Sequence, residues 1–128
     1  MNTNINEMSY RCPGAVSLGA ARLLNCYFRF AQHADIVECD GADTDGVLWD
    51  INDQHLKSLD ALEGYPFYYA RKEFQVEHQG QIVSAIAYYM NPGNSDRLPS
   101  QGYLDMLVEG YQVHGVPLDQ LENALEFF

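Results

Sequence analysis

Apolar positions along this chain switch between two periods, and the switches predict its elements. From Ala21 to Ala31 they alternate, with Leu24, Cys26, Phe28 and Phe30 on one face and Asn25 and Arg29 on the other, which predicts a half-buried strand. A second strand is expected from Ala34 to Cys39. The cluster Asp40, Gly41, Ala42, Asp43 then reads as a turn, and Val47, Trp49 and Ile51 alternate in a further strand. The period changes after that: Leu56, Leu59 and Leu62 share one face of a short helix, with Asp53 as its expected N-cap and Glu63 as its last residue or cap, stopped by Gly64 and Pro66. Tyr68 to His78 and Gln81 to Met90 flank Gln79 and Gly80 and predict a β-hairpin. Its second arm is apolar or small on both faces and is expected to be a central strand. Asn91 to Leu98 is a polar loop. Ser100 caps a helix striped by Leu104, Leu107, Val108 and Tyr111 up to Gly115, and Pro117 opens a last helix burying Leu118, Leu121 and Leu125.

Several short strands, one helix between them and a helical C-terminus predict an α+β fold: a small curved or barrel-like mixed β-sheet with short helices. The hairpin and the lack of a glycine-rich loop argue against a doubly wound dinucleotide fold. At 128 residues the chain is expected to form one domain over residues 1–128. No apolar run approaches the ~18 residues of a membrane span, and no basic-then-apolar leader opens the chain, so a cytoplasmic protein is expected. Seven basic against eighteen acidic residues, a formal charge of −11, oppose binding to nucleic acid or anionic lipid. Cys12, Cys26 and Cys39 are odd in number and lack metal-type spacing, so reduced thiols are expected, with Cys26 in the core.

The candidate chemistry is acid/base. His33, His55, His78 and His114 stand alone, without a second ligand at helical or hairpin spacing, so no metal is expected. No serine elbow, phosphate loop or paired Cys and His nucleophile stands out. Glu63 does: an acid at a helix C-terminus sits at the negative end of the dipole, where Lys or Arg would be favourable. Its sequence neighbours Leu62, Tyr65 and Phe67 are apolar, and both influences disfavour its ionised form. Asp60 is expected to face solvent, Trp49 to pack in the sheet, and Tyr65, Phe67, Tyr68 and Tyr69 to be core or pocket wall.

Arg11, Cys12, Pro13, then Gly46, Val47, Leu48, Trp49, then Leu59, Asp60, Ala61, Leu62, Glu63, Gly64, follow one another in an order that resembles the gamma-glutamylcyclotransferase-like family. The order continues through Pro99, Ser100, Tyr103, Gly110 and Gly115, Val116, Pro117, Leu118, so the resemblance covers nearly the whole chain. It implies that Glu63 is the catalytic acid/base and that Tyr103 lines the same cavity. A Tyr, Gly, Ser, Asn loop after the first strand would hold the α-amino-acid end of a small γ-glutamyl substrate. Counting back from Arg11, Asn2 falls on that loop's Asn and Met1 where its Ser should stand, so the Tyr, the Gly and the first strand have no counterpart. An unpaired strand edge invites pairing with another chain, and a homo-oligomer formed through the exposed sheet edge is expected. The implied reaction joins the γ-glutamyl group's own amine to its γ-carbonyl and releases 5-oxoproline, with neither metal nor cofactor. Two other readings remain: a γ-glutamylamine or protecting-group cyclase, and a catalytically silent binding protein that kept the fold.

Overall fold

The computed structural model describes residues 2–128. Asn4 caps α1 (Ile5–Arg11) by accepting from the Glu7 N–H. Two long strands follow, β1 (Val16–Ala31) and β2 (His33–Asp50), then α2 (Asp53–Leu62), the hairpin β3 (Tyr69–His78) and β4 (Gln81–Met90), and the helices α3 (Gln101–His114) and α4 (Asp119–Glu126). The strands form one antiparallel sheet in the order β2-β1-β3-β4. A single parallel bridge, Ala31 to Arg97, stands outside it among the described residues. The sheet curls until its two outer strands meet at Asp35, whose Oδ1 accepts from the Met90 N–H at 2.7 Å and whose Oδ2 pairs with Arg29 at 2.8 Å.

Three expectations change. Asp40 to Asp43 does not end a strand. Instead β2 bulges there, with pairing passing from Cys26↔Glu38 to Leu24↔Asp43. The positive φ of Asn25 and Gly41, and the Gly41 N–H donated to Asn25 Oδ1, absorb the extra residues so that pairing resumes. The N-cap of α2 is Asn52, one residue earlier than Asp53. Its side chain accepts from the His55 N–H while His55 Nδ1 accepts from the Asn52 N–H. β4 lies at the edge of the sheet rather than its centre, and Ile82 and Ile86 are exposed. Its β-branched content reflects fitness for an extended backbone rather than cover on both faces.

The hairpin turn is as expected, since Gln79 and Gly80 both take positive φ and close a two-residue loop. Ser100 caps α3, and Gly115 ends it in the left-handed conformation while the Val116 N–H reaches back to the Tyr111 carbonyl. Phe30, Leu107, Tyr111, Val116 and Leu121 make the core between sheet and C-terminal helices, while Met8, Cys12 and Leu59 seal α1 against α2. Cys12 and Cys26 are buried and Cys39 is exposed, all three as free thiols. No helix among the described residues is long and apolar enough to cross a membrane.

Candidate active site

Inside the curl of the sheet lies a cavity of about 600 Å³, walled in part by Asn2, Trp49, Glu63, Tyr69, Tyr88 and Tyr103. Glu63 reaches it because α2 stops there. The Glu63 N–H still bonds the Leu59 carbonyl, whereas Gly64 turns away at φ 66° and the Tyr65–Pro66 peptide bond that follows is cis. A side chain at Gly64 would be strained by that φ and would bring its Cβ within 3.1 Å of Tyr68 Cβ.

The Glu63 carboxylate is 14% exposed, and one of its oxygens is held from two sides. Oε1 accepts from Arg11 Nη1 at 3.2 Å and from Asn2 Nδ2 at 3.4 Å, and the same Arg11 nitrogen donates to Asn2 Oδ1 at 3.2 Å. Oε2 takes no hydrogen bond among the described residues. The apolar setting expected from the neighbouring residues does not form. Leu62 and Phe67 are 55% and 87% exposed, because residues adjacent at a helix end point to different sides of the chain. Glu63 instead meets polar groups from the other end of the sequence.

The N-terminal segment that brings Asn2 here is latched at several points. Trp49 Nε1 donates to the Asn2 carbonyl at 2.7 Å, so Trp49 holds the site's edge rather than only packing in the sheet. Asn4 is buried and donates to the Met106 carbonyl at 3.0 Å. Across the cavity the Ala34 peptide is gripped by two tyrosines, since its N–H donates to the Tyr103 hydroxyl at 3.0 Å and its carbonyl accepts from the Tyr69 hydroxyl at 2.6 Å. The Tyr103 oxygen is thus an acceptor already, and its own proton has no acceptor among the described residues. Burial pushes the Tyr103 hydroxyl up to about 12, with the Ala34 N–H opposing and the Glu63 charge adding to the rise. Burial likewise raises Tyr69 and Tyr88. All three are neutral hydroxyls at physiological pH.

Asp60 does not face solvent as expected. It pairs with Arg71 at 2.8 Å and accepts from the Tyr88 hydroxyl at 2.7 Å, tying α2 to the hairpin under the cavity. The Arg71 hydrogen bond holds its carboxyl below the usual range, against the opposing effect of burial and with help from Tyr88. A carboxyl lowered in the folded state adds stability that is present above its unfolded value, about 3.9, and is lost as the pH falls through the folded value. We therefore expect Asp60→Asn to lower the melting temperature at neutral pH and to flatten its decline below about pH 4. Thermal melts across acid pH check this.

The structure brings Asn2 into contact with Glu63 and sets Tyr103 on the wall of the same cavity. Arg11 was legible only as part of a motif, although a cation in a chain with seven basic residues was a signal. Tyr88 gave no signal beyond its place on a strand. Among the described residues no group of three or more His, Cys, Asp or Glu is placed to hold a metal ion.

A strongly curved antiparallel sheet that closes, with short helices, on a tyrosine-walled cavity with a fixed carboxylate defines the class of cyclotransferase-like α+β folds. Residues 1–106 match the family model described as gamma-glutamyl cyclotransferase, AIG2-like, and the chain belongs to that family. An uncharacterized protein from Homo sapiens superposes with a TM-score of 0.85 at 26% identity, over 96% of this chain and 80% of that one. A solved gamma-glutamyl cyclotransferase superposes with a TM-score of 0.84, also at 26% identity and over 96% and 80% of the two chains. YkqA from Bacillus subtilis shares the fold at 22% identity and a TM-score of 0.78, over 95% of this chain and 47% of its own. No curated protein matches the sequence.

Proposed function

We propose that this chain is a cyclotransferase that releases 5-oxoproline from a γ-glutamyl amine or short peptide, with Glu63 as the acid/base. Family membership supports the reaction type. The observation that carries the mechanism is the division of labour within one carboxylate: Oε1 is held by Arg11 and Asn2, and Oε2, which takes no hydrogen bond among the described residues, is the oxygen that receives a proton.

The substrate contains its own nucleophile. Its α-amine attacks the γ-carbonyl, the new C–N bond closes a five-membered lactam, and the old amide C–N bond breaks. The α-nitrogen gives up two protons on its way from ammonium to lactam N–H; Glu63 relays them one after the other to the leaving nitrogen, which departs as an ammonium group, so no proton is gained or lost over the cycle. Folding the substrate so that amine and carbonyl meet can contribute roughly 7–11 kcal/mol, which makes the cavity's shape as important as its base. Asn2 and the Tyr103 proton, which has no acceptor among the described residues, supply donors for the substrate's oxygens.

Incubation with a panel of γ-glutamyl dipeptides and γ-glutamylamines, read as 5-oxoproline release, tests this reading. Turnover of any member supports it, and the preferred member separates peptide from amine cyclase. Silence on the whole panel would favour a binding protein. Within the site, Arg11→Met should lower kcat about tenfold with a smaller change in KM, the scale of one charge-assisted hydrogen bond. Arg11→Lys should recover part of the loss. Steady-state kinetics of the two variants make the comparison.

A further inference from the structure

Outside the cavity, the C-terminal end of α3 brings a second pair of reactive groups together. His114 is the last residue of that helix, and its Nε2 lies 2.9 Å from Ser17 Oγ on β1. Its Nδ1 lies 2.9 Å from the Gly110 carbonyl oxygen. A carbonyl only accepts, so in the neutral ring Nδ1 carries the proton and Nε2 turns a lone pair toward the serine. The Gly19 N–H donates to Ser17 Oγ at 3.3 Å, which occupies one of that oxygen's lone pairs and leaves the hydroxyl proton for His114.

These are the three parts of an activated nucleophile: a hydroxyl within hydrogen-bond reach of a base, and a third group that fixes the base's tautomer and orientation. The carboxylate that often serves as the third group is replaced by the carbonyl end of a helix. The ring is steadied from the side by Trp49, edge-on at 6.0 Å. A second, separate feature marks the spot. The β1–β2 register shifts between Ser17 and Gly19, with Gly19 at φ 96°, and such irregularities re-aim a side chain out of the regular pleat. Both residues are half-buried.

We propose that Ser17 and His114 form a second reactive site, in which Ser17 accepts acyl groups from small activated esters. In that step Ser17 Oγ bonds the ester carbonyl carbon and the ester C–O bond breaks. The hydroxyl proton passes to His114 Nε2 and from there to the departing alcohol or phenol oxygen. The products are an O-acyl Ser17 and the free alcohol, with no further reactant.

Treatment of the intact protein with p-nitrophenyl acetate near neutral pH, with acetylated residues mapped by mass spectrometry, tests the site. The expected result is an acetyl group on Ser17 that forms at least about tenfold faster than on any other hydroxyl and is absent in Ser17→Ala. In a folded His114→Gln variant the reaction should slow about a hundredfold, the lower end of what a positioned general base contributes. Mapping separates this adduct from one on the exposed thiol of Cys39. Acetyl groups on other residues with none on Ser17 in the unaltered protein would overturn the proposal whatever the variants do. So would an unchanged Ser17 rate in folded His114→Gln.

Discussion

Replacing Glu63 with Gln should lower kcat for 5-oxoproline release about 10²–10⁴-fold, the range that a positioned acid/base supplies. The substitution keeps the side chain's size, and its amide oxygen can still accept from Arg11 Nη1, which lies 3.2 Å from Oε1 in the parent protein. What it removes is the capacity of Oε2 to take a proton. KM should therefore change much less than kcat, because an interaction needed in the transition state is lost while the cavity is kept. Steady-state kinetics on the best substrate of the panel make the measurement. Product formed at an undiminished rate would remove Glu63 from the role and leave Oε2 without a function.

The second large effect is expected at a residue with no side chain. A Cβ on Gly110 would lie 2.4 Å from the Thr3 carbonyl oxygen, 2.6 Å from its carbon and 2.8 Å from the Asn4 nitrogen. These are backbone atoms, so no rotamer change relieves the clash. In Gly110→Ala either α3 recoils or the segment from Asn2 to Asn4 lifts. Lifting breaks the Trp49 bond to the Asn2 carbonyl, the Asn4 bond to Met106 and the Asn2 bond to Glu63 together. Overpacking of this kind costs about 1–3 kcal/mol, which for a chain of this size is roughly 4 °C of melting temperature per kcal/mol. 5-Oxoproline release should fall with it, since Asn2 leaves the site. Gly102, on the same helix, is the control. A Cβ there meets nothing within 4 Å, and Gly102→Ala should leave stability unchanged or raise it by up to about 1 kcal/mol. Thermal melts of the two variants side by side decide the matter, and an equal response would show that the packing of the N-terminal segment on α3 carries no stability.

Some of the site was readable along the chain. Glu63 stood out because a helix C-terminus disfavours an acid, a rule that acts within one turn and needs no knowledge of the fold. Its surroundings are not local: Leu62 and Phe67, its neighbours in sequence, turn outward. The setting of Asp60 is likewise made by distant residues. Nothing local indicates that Arg71 and Tyr88, on the two arms of a hairpin, converge on it. The Ser17 and His114 pair had no sequence signal at all, since each is an ordinary polar residue at the end of its element.

The sequence by itself determined several of the elements and their ends, though not α1, the start of β1 at Val16 or the continuation of β2 through Asp40 to Asp43. The α3 cap at Ser100 and its stop at Gly115, the Gln79–Gly80 turn, the end of α2 at Glu63 and the alternation of β1 are set by torsional preferences and by hydrogen bonds that span a few residues. Only the tertiary structure decided which residues share the cavity. Asn2 and Glu63 are 61 residues apart and Arg11 and Glu63 are 52 apart. They meet because α1 packs on α2 through Met8, Cys12 and Leu59, and because Gly110 lets the N-terminal backbone lie against α3. Burial of apolar surface drives that packing and is non-directional; its outcome depends on the shape of the whole assembled core, which no local period along the chain encodes.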